Sequence, residues 1–517
     1  MVAKGAWVPS GEWQRAEVLT MGNDRLPRWL LVGAAGALAG LSLPPLGWPW
    51  LLWPCLAVLW ARVGTGRGGA AALLWGSAAV LVSHRWLPSL HPLDWIGVPA
   101  PLSLPLCLLL WALCALLGGG LVAAWALLIG RLDPARPGTA LLGAGLWGAG
   151  EVLLARGPLF WIGLGASPLP GDPWLAGVAV WVGAGGVAAL QMLLGWALWR
   201  WARLWPSWWA TRHLSGRMAL GRWGLLLAGG VLVPHLVGAA TLTPPMAARA
   251  AGEGGGEKVL VVQPAIPTRE KFLPGRQERL MAQLVGALEQ ARPRGATVLL
   301  PEGALAEGQR LPAPAPVELL SGGFRRTRAS LRSALLRFAP RATAPEGWVD
   351  KHRVVPLGEW VPLGPLLRWS GLSAVGGIEP GQASRLLERP GGPIGVAICY
   401  EIADGRGLAR ASRAGARWLL ASANLDPYPL VLQSQFLALA RLRAMESGRW
   451  LVSVANTGPS ALVDPAGRVR GALPSGRPAT AVFSVPASAE GTPYLQAGER
   501  PLIVLIIAGL VLRAAGR

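Results

Sequence analysis

Residues 391–402 read Gly-Gly-Pro-Ile-Gly-Val-Ala-Ile-Cys-Tyr-Glu-Ile, and this stretch decides how the rest of the chain is understood. The run Ile394 to Ile398 is apolar and partly β-branched, with a Gly-Gly-Pro boundary before it, so it is predicted to be a central strand of an α/β sheet. Cys399, Tyr400 and Glu401 then fall at its carboxyl end. In open α/β sheets that edge collects ligands and reacting groups, so a thiol there can meet a substrate while its backbone is held rigidly. A small core residue is the other meaning a cysteine can have at such a place, and the stretch alone does not separate the two.

Working outward, the 517 residues are 52% hydrophobic and only 15% charged, which points to membrane spans together with at least one globular domain. Up to about Leu242 the chain consists of apolar runs broken by Arg, Pro and Gly. From Glu257 to about Glu490, short apolar strands alternate with amphipathic helical patterns, and a last apolar run, Leu502 to Leu512, follows. The formal net charge of +21 comes from arginines spread through loops with no nucleic-acid motif, so it reads as membrane topology on an arginine-rich background.

With roughly 20 apolar residues needed to cross a bilayer, seven spans are predicted before the soluble part: 29–46, 48–61, 69–82, 102–129, 139–155, 175–198 and 223–242. Residues 502–512 would be a short eighth. Arg and Lys crowd the segments before span one and after spans two, four and six, whereas the opposite loops hold only Arg85 and Arg156. This asymmetry predicts a cytoplasmic amino terminus. The domain plan is then a cytoplasmic segment 1–28, a membrane domain 29–245, an extracytoplasmic domain 257–490 and a carboxyl-terminal helix and tail 498–517. The first span lacks a small-residue cleavage pattern and is read as an uncleaved anchor.

That plan gives the cysteines meaning. Cys55, Cys107 and Cys114 fall in predicted spans, leaving Cys399 as the only cysteine of an exported domain, where no disulfide partner exists for it. A free thiol in an oxidising compartment is a liability unless used, which favours a nucleophile. Thr297 to Leu300 is predicted to be a strand ending in Pro301-Glu302, placing an acid at the same carboxyl edge. Lys351, in Trp-Val-Asp-Lys-His-Arg-Val-Val-Pro-Leu-Gly-Glu (348–359), is one of four lysines in a chain that otherwise uses arginine. A compact ammonium suits a desolvated pocket that a guanidinium fork does not; a surface lysine is the alternative. Glu151 lies in an apolar run, where a carboxylate is a functional-site candidate or one half of a helix pair with Arg156.

Glu302, Lys351 and Cys399, each near a strand end, resemble the triad of the nitrilase superfamily, whose domain is an α-β-β-α sandwich. With spans on both sides, the chain is similar to the apolipoprotein N-acyltransferase family. The matching stretches are Leu300-Pro-Glu302, Lys351 with Pro-Leu-Gly-Glu ending at Glu359, Cys399-Tyr-Glu401, the helix 435–449 with Arg443-Ala-Met-Glu446, Asn456-Thr-Gly458 and the turn Asp464-Pro-Ala-Gly467. The resemblance implies an acyltransferase needing no cofactor or metal. In it Cys399 is the nucleophile, Glu302 the general base, and Lys351 with the Tyr400 N–H the oxyanion donors, while Glu359 and Glu401 orient the lysine and the pocket. It also implies a phospholipid acyl donor, a diacylglyceryl apolipoprotein acceptor, no nucleic-acid partner, and a bacterial inner-membrane location with the catalytic domain on the periplasmic side. The family usually has tryptophan where Phe272 stands, and the loop Asn424-Leu-Asp-Pro-Tyr428 departs from its pattern. Phe272, Leu425 and Tyr428 are therefore the candidate substrate-binding residues, with Pro429 and Leu430 completing a covering loop. A membrane-tethered amidase or hydrolase, and an inactive lipoprotein-binding relative, are the competing expectations.

Overall fold

A computed structural model describes residues 25–94, 98–211, 214–243, 256–270, 273–327, 330–356, 359, 377–426, 428–488 and 491–515. The first half is helical: α1 (Arg25–Leu41), α2 (Pro49–Arg62), α3 (Gly68–Ser83), α4 (Ala100–Gly130), α5 (Pro137–Leu154), a short α6 (Pro173–Gly177), α7 (Ala179–Thr211) and α8 (Leu214–Thr241). Segments within α4, α7 and α8 are long and apolar enough to cross a membrane, and residues 28–41 and 68–83 form shorter apolar helices. These helices are apolar on all sides, as lipid-facing helices must be: Leu225, Leu232 and Leu236 of α8 point outward while Trp60 and Trp75 are fully enclosed. The enclosed indoles keep a polar partner. Trp60 Nε1 donates to Met192 O at 3.0 Å, and Trp75 Nε1 to Cys55 O at 3.1 Å.

The sixth predicted span is not one helix. Residues 173–177 form α6, and α7 is itself interrupted at Gly183, whose φ of +66° only glycine adopts readily. A Cβ at Gly183 would stand 2.3 Å from the Tyr494 ring, so the break is also where the carboxyl-terminal segment packs. The last apolar run is longer than its sequence suggested, forming the helix Arg500–Ala515.

The second half builds two six-stranded sheets. The first has β1 (Glu257–Gln263), β2 (Thr297–Leu305), β3 (Leu319–Thr327), β4 (Ser330–Phe338) and β5 (Gly347–Asp350) side by side, with the last strand, Ala479–Val485, beyond β1. In the second, β6 (Leu386–Leu387), β7 (Ile394–Ile398), β8 (Leu419–Ala423), β9 (Leu451–Ala455), β10 (Ala461–Val463) and β11 (Val469–Ala472) lie in sequence order. Successive side chains alternate between faces. Val259, Val261 and Leu299 therefore meet Val396, Leu420 and Val452 between the sheets, while Leu260, Val262 and Leu300 pack on Leu280, Leu284 and Leu288 of the helix Pro274–Ala291. The helices Gly405–Arg413 and Leu430–Ser447 cover the other face. This is the α-β-β-α sandwich expected from the sequence.

β1, β2 and β3 run parallel, as do β7, β8 and β9, and β5 shares the direction of β3 through two antiparallel steps. The carboxyl ends of β5, β7 and β8 thus emerge on a common edge. Helix 430–447 carries that edge onto the membrane helices: Gln435 Nε2 donates to Ser83 O at 3.0 Å, and Ala438, Leu442 and Met445 pack with Leu169, Val180 and Leu242.

Candidate active site

Cys399 follows β7 directly and opens a 3₁₀ turn, Cys399–Ala403. Its φ of +54° is in the left-handed region, which costs a non-glycine residue roughly 1–2 kcal/mol. The turn breaks strand geometry at the thiol and aims it out of the sheet edge. Cys399 is buried, with Glu302, Lys351 and Glu359 close enough for their charges to act on its thiol. Burial pushes the thiol well above its ordinary range, the nearby Glu302 carboxylate adds to this, and Lys351 pulls the other way. At rest Cys399 is a neutral thiol.

Glu302 does not end its strand, as the sequence suggested, but sits inside β2, where pairing with β3 shifts register between Leu300 and Leu305 and Gly303 has φ +60°. An irregularity of this kind re-aims a side chain. Glu302 turns toward the site instead of lying in the pleat, and a Cβ at Gly322 of β3 would stand 2.4 Å from its Cα. Its Oε1 accepts from Lys351 Nζ at 2.7 Å and its Oε2 from the Asn424 N–H at 3.1 Å.

Lys351 follows β5 and is 1% exposed, so it is not a surface lysine. Its ammonium also donates to Glu359 Oε1 at 2.7 Å, and Glu359 Oε2 accepts from the Val355 N–H at 2.8 Å. Burial works against the charged lysine, but the two carboxylates outweigh it and hold the ammonium well above its ordinary pKa. Burial raises Glu359, Lys351 opposes that, and Glu302 adds to it. Glu359 thus bridges the ammonium and the backbone at Val355.

The carboxylates bonded to the lysine ammonium are those of Glu302 and Glu359, and Glu401 lies instead between two strand ends of the pocket. Its carboxylate accepts from Arg385 Nη1 at 2.8 Å with both oxygens, from the Ile398 N–H at 2.8 Å and from the His352 N–H at 2.6 Å. It ties the end of β7, which bears Cys399, to the end of β5, which bears Lys351. Arg385, Arg353 and the Asn424 N–H carry no sequence signal of their own, and only the fold brings them here. Arg353 donates to Ala155 O at 2.6 Å and to Gly157 O, linking the site to the loop after α5.

The substrate-side candidates divide. Phe272 lies outside the described residues. Leu425 is 2% exposed with φ +53°, a buried strut and not a cover, because its side chain points into the core. Tyr428 is at the site: its hydroxyl is 3.4 Å from that of Tyr400, and its ring meets Trp86 edge to face at 5.6 Å. Tyr400 packs on Phe160 at 5.3 Å, so membrane-half rings form one wall of the site. Leu430 is 65% exposed. Glu151 is not paired with Arg156; it accepts from Trp147 Nε1 and the Leu164 N–H, both at 2.8 Å, and anchors the turn after α5. Among the described residues no group of His, Cys, Asp and Glu could hold a metal ion.

Residues 35–197 match the apolipoprotein N-acyltransferase N-terminal domain, and residues 317–493 match the carbon-nitrogen hydrolase family. A curated apolipoprotein N-acyltransferase of Prochlorococcus marinus is 43% identical, covering 97% of this chain and 100% of its own. A second one, from another strain of that species, is 48% identical and covers 87% of this chain and 88% of its own. One from Parasynechococcus marenigrum is 48% identical over 87% of this chain and 93% of its own. A nitrilase-type sandwich with a buried Glu-Lys-Cys cluster, joined to apolar helices and matched along nearly its whole length by such relatives, makes the chain a member of the apolipoprotein N-acyltransferase family.

Proposed function

We propose that the chain is an acyltransferase that moves an acyl chain from a phospholipid, through a thioester on Cys399, to the α-amino group of the diacylglyceryl-cysteine at a lipoprotein's amino terminus. The observation that carries the mechanism is a buried thiol close to Glu302, beside an ammonium clamped between two carboxylates. Glu302 takes the thiol proton as sulfur attacks the ester carbonyl. Lys351 and the Tyr400 N–H stabilise the tetrahedral oxyanion, each such donor being worth about 3 kcal/mol elsewhere. The C–O bond breaks, and the lysophospholipid oxygen leaves with the proton from Glu302. In the second half the amine attacks the thioester, loses a proton to Glu302, and expels sulfur, which takes that proton back. No bond in this sequence needs a metal or a cofactor.

Membrane placement supports transfer over hydrolysis. The site edge abuts Trp86 and Phe160 of the helical half, which restricts water at the thioester. Inner-membrane residence with the catalytic domain on the periplasmic face fits the arginine asymmetry of the loops. Incubating the enzyme with phospholipid alone should give a stable acyl adduct on Cys399 by intact mass, with one lysolipid released per enzyme. A diacylglyceryl peptide should then discharge it as the N-acyl product. Continuous release of free fatty acid without acceptor would make the protein a lipid hydrolase, and no adduct on a folded protein would make it a binding relative.

A further inference from the structure

The membrane half contains an apolar cavity that the chemistry above does not use. α4 and α5 meet near the turn that joins them, where Trp125 Nε1 donates to Gly143 O at 2.9 Å. Farther along, toward the catalytic half, a cavity of about 350 Å³ lies between them, walled by Gly118 and Val122 of α4, Leu146 and Gly150 of α5, and Ala79 and Val80 of α3. Leu121 and Leu153, 42% and 62% exposed, flank its outward opening between α4 and α5. The α3–α4 side is shut. A Cβ at Gly76 would stand 2.8 Å from Val122, and one at Gly118 2.5 Å from Val80. Trp75, Trp125 and Trp147 close the inner end, with ring centroids 6.4 Å apart for Trp75–Trp147 and 5.2 Å for Trp125–Trp147. His84 and Trp161 stand at the other end. Their loop neighbours Trp86 and Phe160 lie on Tyr428 and Tyr400, so one layer of rings separates the cavity from the nucleophile's turn.

We infer that this cavity holds one acyl chain of the lipid donor, entering sideways between α4 and α5, and that its tryptophan floor limits the chain length accepted. The inference rests on the acyltransferase reading. A hydrocarbon chain fits the lining, which is mostly apolar and whose one carboxylate, Glu151, is already occupied by Trp147, Leu164 and Gly165. The donor's chain is the occupant because a carbonyl at Cys399 directs its tail past Tyr400 and Phe160 into this slot, once the Phe160 ring turns aside.

Gly150 provides the test, since a Cβ there meets nothing within 4 Å and a larger side chain would project into the cavity without disturbing helix packing. Wild type, Gly150→Phe, Gly150→Ala and Leu153→Trp, each full-length in lipid nanodiscs, are mixed with phosphatidylglycerol bearing palmitoyl or octanoyl chains, without acceptor. Thioester formation on Cys399 is followed by intact mass. Each methylene excluded from an apolar site costs about fourfold in affinity. Gly150→Phe should therefore slow palmitoyl loading by at least about tenfold and octanoyl loading far less, with Gly150→Ala, a single added methyl, falling between it and wild type. Leu153→Trp, at the mouth and facing lipid, repeats the chain-length split if Gly150→Phe fails to fold. Equal slowing of both donors in the folded variants, no slowing of either, or an effect confined to discharge by the acceptor peptide would overturn the inference. Failure of wild type to load either donor would instead count against the acyltransferase reading itself.

Discussion

Lys351 shows how much of this site is decided by single side chains. Its ammonium is enclosed, with Glu302 and Glu359 each at 2.7 Å, a space that suits three compact donors and not a planar fork. Lys351→Arg keeps the charge, yet thioester formation is expected to fall by at least about 100-fold, the size of a lost oxyanion donor. Single-turnover loading of Cys399 measures this, and a rate within a few-fold of wild type would remove the lysine from the oxyanion site. Its identity was legible from the scarcity of lysine in the sequence. Its two partners were expected only through the family resemblance, because Glu302 and Glu359 lie 49 and 8 residues away and the edge of the sheet brings them to one atom.

At the scale of elements, the site depends on how strand ends are held together. Glu401 receives Arg385, the N–H that precedes Cys399 by one residue, and the N–H that follows Lys351, so one carboxylate sets the spacing of β5 and β7. Glu401→Gln puts an amide donor among donors and leaves Arg385 buried without its counter-charge. Breaking a buried pair from one side costs about 3 kcal/mol or more. The thermal midpoint should fall by roughly 6 °C or more for a domain of this size, and calorimetry or intrinsic fluorescence reads it. An unchanged midpoint would show that the tie is not needed for the fold. The strands themselves were visible in the sequence because apolar, β-branched runs sit between Gly and Pro boundaries. The distortion of β2 at Glu302 was not, since it arises from a register shift against β3 that periodicity does not reveal.

For the whole molecule, the decisive contacts are those between its two halves. The Ala184 N–H, just past the break in α7, donates to Glu446 Oε1 at 2.8 Å, while Glu446 Oε2 pairs with Arg443 at 3.0 Å. Burial pushes Glu446 up to about 7 from its ordinary 4.5, Arg443 opposes this, and Glu499 and Asp404 add to it. An acid raised in the folded state binds a proton that the unfolded chain has already lost. Its contribution to stability therefore declines as pH rises from about 4.5 to about 7 and is constant above that. The fall in thermal midpoint across that window should be larger for wild type than for Glu446→Gln, and parallel slopes would show that Glu446 does not titrate there. Topology is the other prediction at this scale. Reporter fusions at Pro134 and Ser215 should read cytoplasmic and those at Gln309 and Pro474 outside, and a cytoplasmic signal at Gln309 would reverse the proposed orientation.

The sequence by itself determined that a helical half precedes an α/β half and that a strand presents Cys399, because these follow from local periodicity and turn residues; the sandwich and the grouping of Glu302, Lys351 and Cys399 were expected from the family resemblance of short motifs. Tertiary structure decided everything that depends on distant residues meeting. It set Glu401 as a tie between β5 and β7, turned Leu425 inward, gave Glu151 to the turn after α5, and broke the sixth span at Gly183, beside which Ala184 reaches Glu446. The physical reason is range. Hydrophobic pattern and backbone preference act over a few residues, whereas the geometry of a buried charge is fixed by whichever groups the packed chain brings within about 3 Å of it.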